Sequence, residues 1–319
     1  MPKGMMLAAG RGTRLKPLTD NLPKPLLPVA NRPTMCYGLN ALRNSGITTI
    51  CSNISYKSDD IKTVIGSGCS HGVDINWLIE DEPSGTAGGF KKMEAVLCDD
   101  TVIVIAGDAM LDIDLNELLN YHHIKKSFAT IGTLPVNDPS QYGVVRTENN
   151  GRIIDFQEKP APGTQISKQA NTGIYIFDHA VFDMIPSDSF FDFAMHLFPQ
   201  ILQKNLPFYA IPLHGYWTDI GNPVDYLQAN MDYLKGMINI KGEGKEVAGN
   251  LIGDNSIIED VSIVECVIGS NINIAAGSSL THSVIWDNTV ITSPVTVSDA
   301  VVTPFGIYQI NSKSVLSNR

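Results

Sequence analysis

The sequence predicts an α/β fold, a mainly parallel sheet covered by helices on both faces, joined through a short linker to a small triangular β-solenoid. Three observations carry this. Short apolar runs alternate with segments of helical period from Met5 to Lys125. Lys, Gly and Glu then dominate Ile238 to Ala248, where the rhythm of the sequence changes. Beyond it, aliphatic residues head consecutive hexads at Ile252, Ile258 and Val264, at Ile268, Ile274 and Leu280, and at Ile285, Ile291 and Val297.

Met5 to Ala9 is an apolar run of strand length. Helical period is expected over 34–44, a strand over 49–54, a helix over 58–65 and a strand over 75–79. Residues 87–97, 101–106 and 115–125 continue as helix, strand and helix, with Asp112 and Asp114 placed to cap the last helix and with His122 and His123 on its surface. From Phe128 the alternation loosens into strands expected at 128–136, 143–147, 153–157 and 173–177. Later helices are expected at 192–204 and 224–235. The rungs IGDNSI, IGSNIN and IWDNTV repeat every 16 to 17 residues, each hexad turning one aliphatic side chain into a triangular interior. These boundaries give a domain at 1–238, a linker at 239–249, a three-rung solenoid at 250–304 and a tail at 305–319. So short a stack needs its ends covered by the larger domain or by a second subunit, and a homo-oligomer is expected.

At 319 residues, 43% hydrophobic and 18% charged, the chain has the composition of a globular protein with room for two domains. No apolar run approaches a membrane span and no signal segment precedes the first strand, so a cytoplasmic location and no membrane partner are expected. Cys36, Cys51, Cys69, Cys98 and Cys266 are odd in number and lack C-x-x-C spacing, against a disulfide framework or a zinc site. A net charge of −10 argues against nucleic-acid binding.

Against that acidic background, residues 1–32 hold six Lys/Arg and one acid, Asp20. The run LAAGRGTRLKPLT from Leu7 to Thr19, followed by PKPLLPVANRP from Pro23, sets Arg11, Arg14, Lys16 and Lys24 beside the uncovered amides of Gly10 and Gly12. That composition suits a phosphorylated ligand. It is not a Walker A loop, because Thr13-Arg14 follows the second glycine, nor a Rossmann fingerprint, because Leu15 stands at the third glycine position.

The two runs resemble the signature of the sugar-1-phosphate nucleotidylyltransferases, the NDP-sugar pyrophosphorylases. Further stretches resemble that family in the same order: EPSGTAGG from Glu82, AGDAM from Ala106, QYGVV from Gln141, EKP from Glu158, NTGIYIFD from Asn171 and WTDIGNPVDY from Trp217. The match covers roughly residues 5–235. It implies a Rossmann-like, GT-A-like nucleotidyltransferase sheet, and the hexads resemble the left-handed parallel β-helix of hexapeptide-repeat proteins. The implied reaction is attack by a sugar 1-phosphate on the α-phosphorus of an NTP, giving an NDP-sugar and pyrophosphate.

By resemblance, Leu7, Ala9, Gly10, Arg11, Gly12 and Thr13 would hold the nucleotide, with Glu80, Gly85 and Thr86 at the base. Arg14 would stabilise the departing pyrophosphate and Lys24 the reacting phosphate. Asp108 and Asp219 would hold Mg²⁺, although each could instead be a turn or cap residue. Tyr142, Gly143, Glu158, Lys159, Asn171, Thr172 and Gly173 would bound the sugar phosphate. A carboxylate at Glu80 only accepts, which leans towards GTP, and GTAGG resembles mannose-1-phosphate guanylyltransferases. Glucose 1-phosphate with UTP or dTTP stays open, as does a non-catalytic regulatory subunit that binds a nucleotide sugar. An added acetyltransferase activity in the solenoid would have His282 as its base.

Overall fold

A computed structural model describes residues 1–310; of the tail expected at 305–319, residues 311–319 lie outside the described residues. The chain packs as two compact units. One comprises Met1–Arg11 and Gly38–Trp217, the other Gly12–Tyr37 and the described residues from Thr218 onward.

The first unit is built on a nine-stranded sheet whose path runs Ile153–Gln157, Val144–Thr147, Gln169–Phe177, Val102–Ala106, Lys3–Ala8, Thr49–Ile54, Asp74–Ile79. Its last four strands are parallel, as the βα alternation requires. The register places Leu7 level with Asn53 on one side and Ala106 on the other, so the carboxyl ends of the central strands open together. That edge is where an open α/β sheet binds ligands. Beneath it Phe90, Phe177, Phe182, Phe193 and Phe198 are all at most 1% exposed, and Phe90 stacks on Phe182 with centroids 4.4 Å apart. Each such ring contributes roughly 1.5–3 kcal/mol through its burial.

Several elements differ from expectation. Gln169–Phe177 begins four residues earlier than its apolar half, and a β-irregularity between Asn171 and Tyr175 separates the two parts. Phe208–Pro212, unanticipated, adds in parallel to Ala129–Pro135. The helix expected over 87–97 breaks at Met93 into Thr86–Lys92 and Glu94–Leu97. The helix expected over 192–204 starts with a π-turn, Phe193–Leu197. Asp114 does cap Leu115–Lys125, accepting from the Asn116 amide at 2.9 Å, whereas Asp112 lies inside the strand Ala109–Ile113. His122 is not on the surface: it is 4% exposed and its Nδ1 lies 2.9 Å from the Thr130 hydroxyl.

The second unit joins the basic loop, the helix Pro223–Leu234 and a parallel β-helix. Asn222 caps the helix, accepting from the amides of Val224 and Asp225. In the solenoid Ile252 pairs with Ile268 and Ile268 with Ile285 in one sheet, and Ile274 with Ile291 in another. Eight of the nine hexad heads face the interior. The ninth, Val264, is 50% exposed, because the strands keep a 17-residue register in which Ile263 pairs with Leu280 and Leu280 with Val297. The sheet that contains Asn250–Ile252 and Ala300–Thr303 is closed at both edges by antiparallel strands of the same chain, Lys245–Val247 and Gly306–Gln309. Asn255, Asn271 and Asn288, each with positive φ, stack their amides at 3.2–3.3 Å along one corner. Among the described residues no helix is long and apolar enough to cross a membrane, and the five cysteines are free.

Burial pushes the His122 imidazole down from 6.5 to about 4. The unfolded chain therefore takes up a proton below about pH 6.5 that the folded chain refuses until about pH 4, so this contribution is complete above the first value and lost towards the second. In urea titrations at about pH 7 and about pH 4.5, the native chain should lose roughly 2 kcal/mol more stability than His122→Gln. Equal losses would show that His122 does not govern the acid limb.

Candidate active site

In the first unit a cleft of about 410 Å³ opens over the carboxyl ends of the central strands. Leu7, Ala9, Gly10, Arg11, Glu80, Gly85, Thr86, Asp108 and Gly173 line it, all of them expected ligand residues. Gly10 faces the Asp108 carboxylate closely enough that a Cβ would stand 4.0 Å from its Oδ2. Asn53, Tyr175 and Asp192 line the same cleft and were not anticipated. Asn53 could have been noticed as a polar residue at the carboxyl end of an apolar strand, where Leu7, Asn53 and Ala106 come level.

Glu80 is 3% exposed and heavily bonded. Its Oε1 accepts from the Ser84 hydroxyl and amide and from Lys92 at 3.0 Å, and its Oε2 from Asn53 Nδ2 at 2.7 Å. Burial alone would raise its pKa, but the bonds from Ser84, Asn53 and Lys92, with the Lys92 charge, outweigh it and hold the carboxyl below its usual range. Glu80 is thus an ionised acceptor on the cleft wall, with three donors on Oε1 and one on Oε2. Gly85, at φ +85, starts the helix Thr86–Lys92, and a Cβ there would meet the Phe191 carbonyl oxygen at 2.4 Å. The amides of Ala87 and Gly88 donate to that same carbonyl. Thr86 donates to Asp192 at 2.8 Å, fixing the wall of the cleft.

Of the expected sugar-side residues, Gly173 lines this cleft, and the others belong to the first unit but not to its lining. The Asn171 amide donates to the Gly143 carbonyl, and the Lys159 amide to that of Tyr142. A Cβ on Gly143 would lie 2.7 Å from Glu158 Oε2, so the glycine leaves the carboxylate its space. Burial raises the Glu158 pKa, Lys159 opposes the rise and Asp192 adds to it. Thr172 is 2% exposed and its hydroxyl donates to the Gly132 carbonyl at 2.7 Å, so its side chain is committed to the sheet. The Asn171 side-chain Oδ1 accepts from the Gly173 amide, and its Nδ2 donates to the Tyr175 hydroxyl.

The remaining expected residues, Gly12, Thr13, Arg14, Lys24 and Asp219, belong to the second unit. Gly12 takes a left-handed conformation, φ +62, and a Cβ there would crowd Lys24 and Thr19 at 3.1 Å. Lys24 is 7% exposed and donates to Asp219 Oδ1 at 3.1 Å. Arg14, Asp219 and Asp225 converge around Gly221, whose Cβ would stand 3.7 Å from Arg14 Nη1 and 3.2 and 3.3 Å from the two carboxylates. Asp225, bonded to Asn222 at 2.6 Å, was missed because it reads as an ordinary first-turn acid of a helix. Asp108 and Asp219 supply hard carboxylate oxygens, the donor type that suits Mg²⁺. Among the described residues no group of three or more His, Cys, Asp or Glu could hold a metal ion by itself. His282 contacts Asp299 at 2.7 Å in the solenoid.

The profile of the family described as Nucleotidyl transferase matches residues 3–236. A UTP–glucose-1-phosphate uridylyltransferase of Synechocystis sp. is 37% identical over 306 residues, covering 92% of this chain and 73% of that protein. A mannose-1-phosphate guanylyltransferase of Mycobacterium tuberculosis is 30% identical over 287 residues, covering 89% of this chain and 79% of its own. Among solved structures, a provisionally assigned glucose-1-phosphate thymidylyltransferase from Bacillus anthracis, with sucrose bound, superposes with a TM-score of 0.67 at 28% identity, over 75% of this chain and 96% of that one.

Because no Cβ fits between Gly85 and the Phe191 carbonyl, Gly85→Ala should displace the cleft wall while the buried sheet stays intact. Nucleotide affinity, measured by calorimetric titration, should fall about tenfold or more with an unchanged far-ultraviolet circular dichroism spectrum. Undiminished affinity would remove this wall from the binding site.

Proposed function

From the premise that the chain belongs to the nucleotidyl transferase family, we propose that it transfers GMP from GTP to mannose 1-phosphate, giving GDP-mannose and pyrophosphate. The coarser activity, nucleotidyl transfer to a sugar 1-phosphate, is that of the family and of the named relatives, and the chain is an enzyme of this type. The observation behind the finer reading is Glu80, a cleft-lining carboxylate held ionised, with three donors on Oε1 and one on Oε2. Such a group favours a base with a ring N–H, hence guanine, uracil or thymine over adenine or cytosine. Guanine places a second N–H beside the first, whereas uracil and thymine flank theirs with carbonyl oxygens that a carboxylate repels. A second reading, UTP with glucose 1-phosphate, is supported by the Synechocystis relative, whose likeness runs through the solenoid.

The chemistry brings two anions together, so the residues act by placing charge rather than by covalent attack. A phosphate oxygen of the sugar 1-phosphate attacks the α-phosphorus in line, and the bond to the pyrophosphate oxygen breaks. In this reading the amides of Gly10 to Thr13 hold the triphosphate, Arg14 meets the charge growing on the leaving group, and Lys24 meets the reacting phosphate. The Lys24 ammonium, oriented by Asp219, needs no reorganisation at that moment. Glu158 and Asn171 accept sugar hydroxyls, and Lys159 offsets the sugar phosphate. Asp108 and Asp219 would hold Mg²⁺, which would offset charge on the phosphates when bound.

Pyrophosphate release from a grid of five NTPs against mannose, glucose, N-acetylglucosamine and galactose 1-phosphates should peak at GTP with mannose 1-phosphate and vanish with EDTA. A UTP and glucose peak selects the second reading. Silence from a chain that still binds nucleotide sugar would mean a non-catalytic subunit. Asp108→Asn and Asp219→Asn should each lower kcat by about a hundredfold or more. Asp219→Asn should also lower the melting temperature, because it weakens a contact of the nearly buried Lys24. Near-native kcat in either variant removes that carboxylate from the metal site.

A further inference from the structure

We propose that Trp286, in the solenoid, is a positioning residue for the transfer reaction: through Tyr226 it fixes the backbone of Pro28 to Asn31, and with it the loop that carries Lys24. The indole Nε1–H of Trp286 donates to the Tyr226 hydroxyl at 2.9 Å, and that hydroxyl donates to the Pro28 carbonyl at 2.6 Å. Both rings are buried, Tyr226 completely and Trp286 to 7% exposure, with the ring planes near perpendicular. A hydroxyl that accepts from one partner while donating to another is polarised by both, and each bond strengthens the other in a dry environment.

The same short stretch is held at further points. Ala30 donates its amide to Asn230 Oδ1 at 2.9 Å, and Asn230 in turn donates to the Tyr226 carbonyl. The Ala30 carbonyl accepts from the Glu243 amide at 3.0 Å. Asn31 reaches the carbonyl of Ile268, a rung residue, at 2.8 Å. Between this stretch and Lys24 lies only the single 3₁₀ turn Lys24–Leu26, closed by the Leu27 amide on the Lys24 carbonyl. Little slack remains to absorb a shift.

The helix Pro223–Leu234 supplies Tyr226 and Asn230, and its cap, Asn222, stands three residues after Asp219. One helix therefore locates both members of the Lys24–Asp219 pair, and Trp286 locks that helix to the proline-rich loop. This gives the solenoid a part in turnover beside any part in assembly. A pair displaced by a fraction of an ångström still binds substrate but meets the transition state less well, so kcat should respond more than KM.

The inference rests on the nucleotidyl-transfer reading, and the test separates the two. Trp286→Phe keeps an aromatic ring, smaller than the indole, and removes the donor, while Tyr226→Phe removes both bonds. With the substrate pair that the native chain prefers, each variant should lower kcat about five- to tenfold and move KM less than about twofold, well below its melting temperature. The double variant should be no slower than Tyr226→Phe alone, since the Trp286 bond has nothing left to act through. Amide hydrogen exchange at Ala30 and Asn31 should quicken in both single variants. Native kcat in Trp286→Phe, or effects that multiply in the double variant, would overturn the proposal. If the native chain is inactive on every pair, the functional reading fails instead, and unchanged exchange at Ala30 and Asn31 would then also refute the relay.

Discussion

The side chain of Lys24 is 8% exposed, and an ammonium so nearly removed from water has to be compensated. Asp219, 195 positions away, does this at 3.1 Å. At that separation the attraction is on the order of 5 kcal/mol before desolvation is counted. The pair obliges the basic loop and the segment after Thr218 to fold as one body, and the packing follows: Gly12–Tyr37 sits in a unit with the late helix and the solenoid, not with the strand that precedes it. Part of the loop's local charge excess is offset in space, because Asp219 and Asp225, from far along the chain, stand beside Lys24 and Arg14.

A second regularity concerns how carboxylates are given room. Gly89 lies where a Cβ would press Glu80 Oε2 at 3.1 Å, Gly143 where one would press Glu158 at 2.7 Å, and Gly221 where one would press Asp219 at 3.2 Å. Each proposed acidic group for base, sugar or metal thus has a glycine beside it. A bare backbone leaves each carboxylate its space while the surrounding fold stays tightly packed. Where a carboxylate is instead wrapped in donors, as Glu80 is, its charge is fixed and its remaining acceptor capacity becomes the selective feature.

Much of this was legible in the residues. The helices Thr34–Asn44, Ser58–Ile65 and Leu115–Lys125 and the strands Thr49–Ile54 and Ile153–Gln157 fall where periodicity puts them. Phe208–Pro212 was not legible, since it is short, ends in proline and owes its pairing to Ala129–Pro135, some eighty residues earlier. His122 was misread because its helix carries a mixed pattern and its burial depends on Thr130 in a neighbouring strand. The solenoid's period was plain, but a one-residue shift at Ile263 and Val264 is decided by strand register, which adjacent aliphatics cannot reveal. In the cleft, Gly10, Glu80, Gly85 and Asp108 were found from motifs, whereas Asn53, Tyr175 and Asp192 reach it only through register and loop packing.

The closed edges of the solenoid sheet constrain how this lineage can change length. With Lys245–Val247 on one side and Gly306–Gln309 on the other, neither edge offers free backbone groups on which another coil could grow. On this face new coils enter between existing ones, in steps near the 16- and 17-residue registers that align Ile252 with Ile268 and Ile263 with Leu280. A one-residue gap or insertion within a strand would turn the aliphatic heads of that strand towards water. Drift in this part of the gene should therefore be quantised, with length varying by whole coils where it varies at all, even though the individual sequences of those coils are free to diverge.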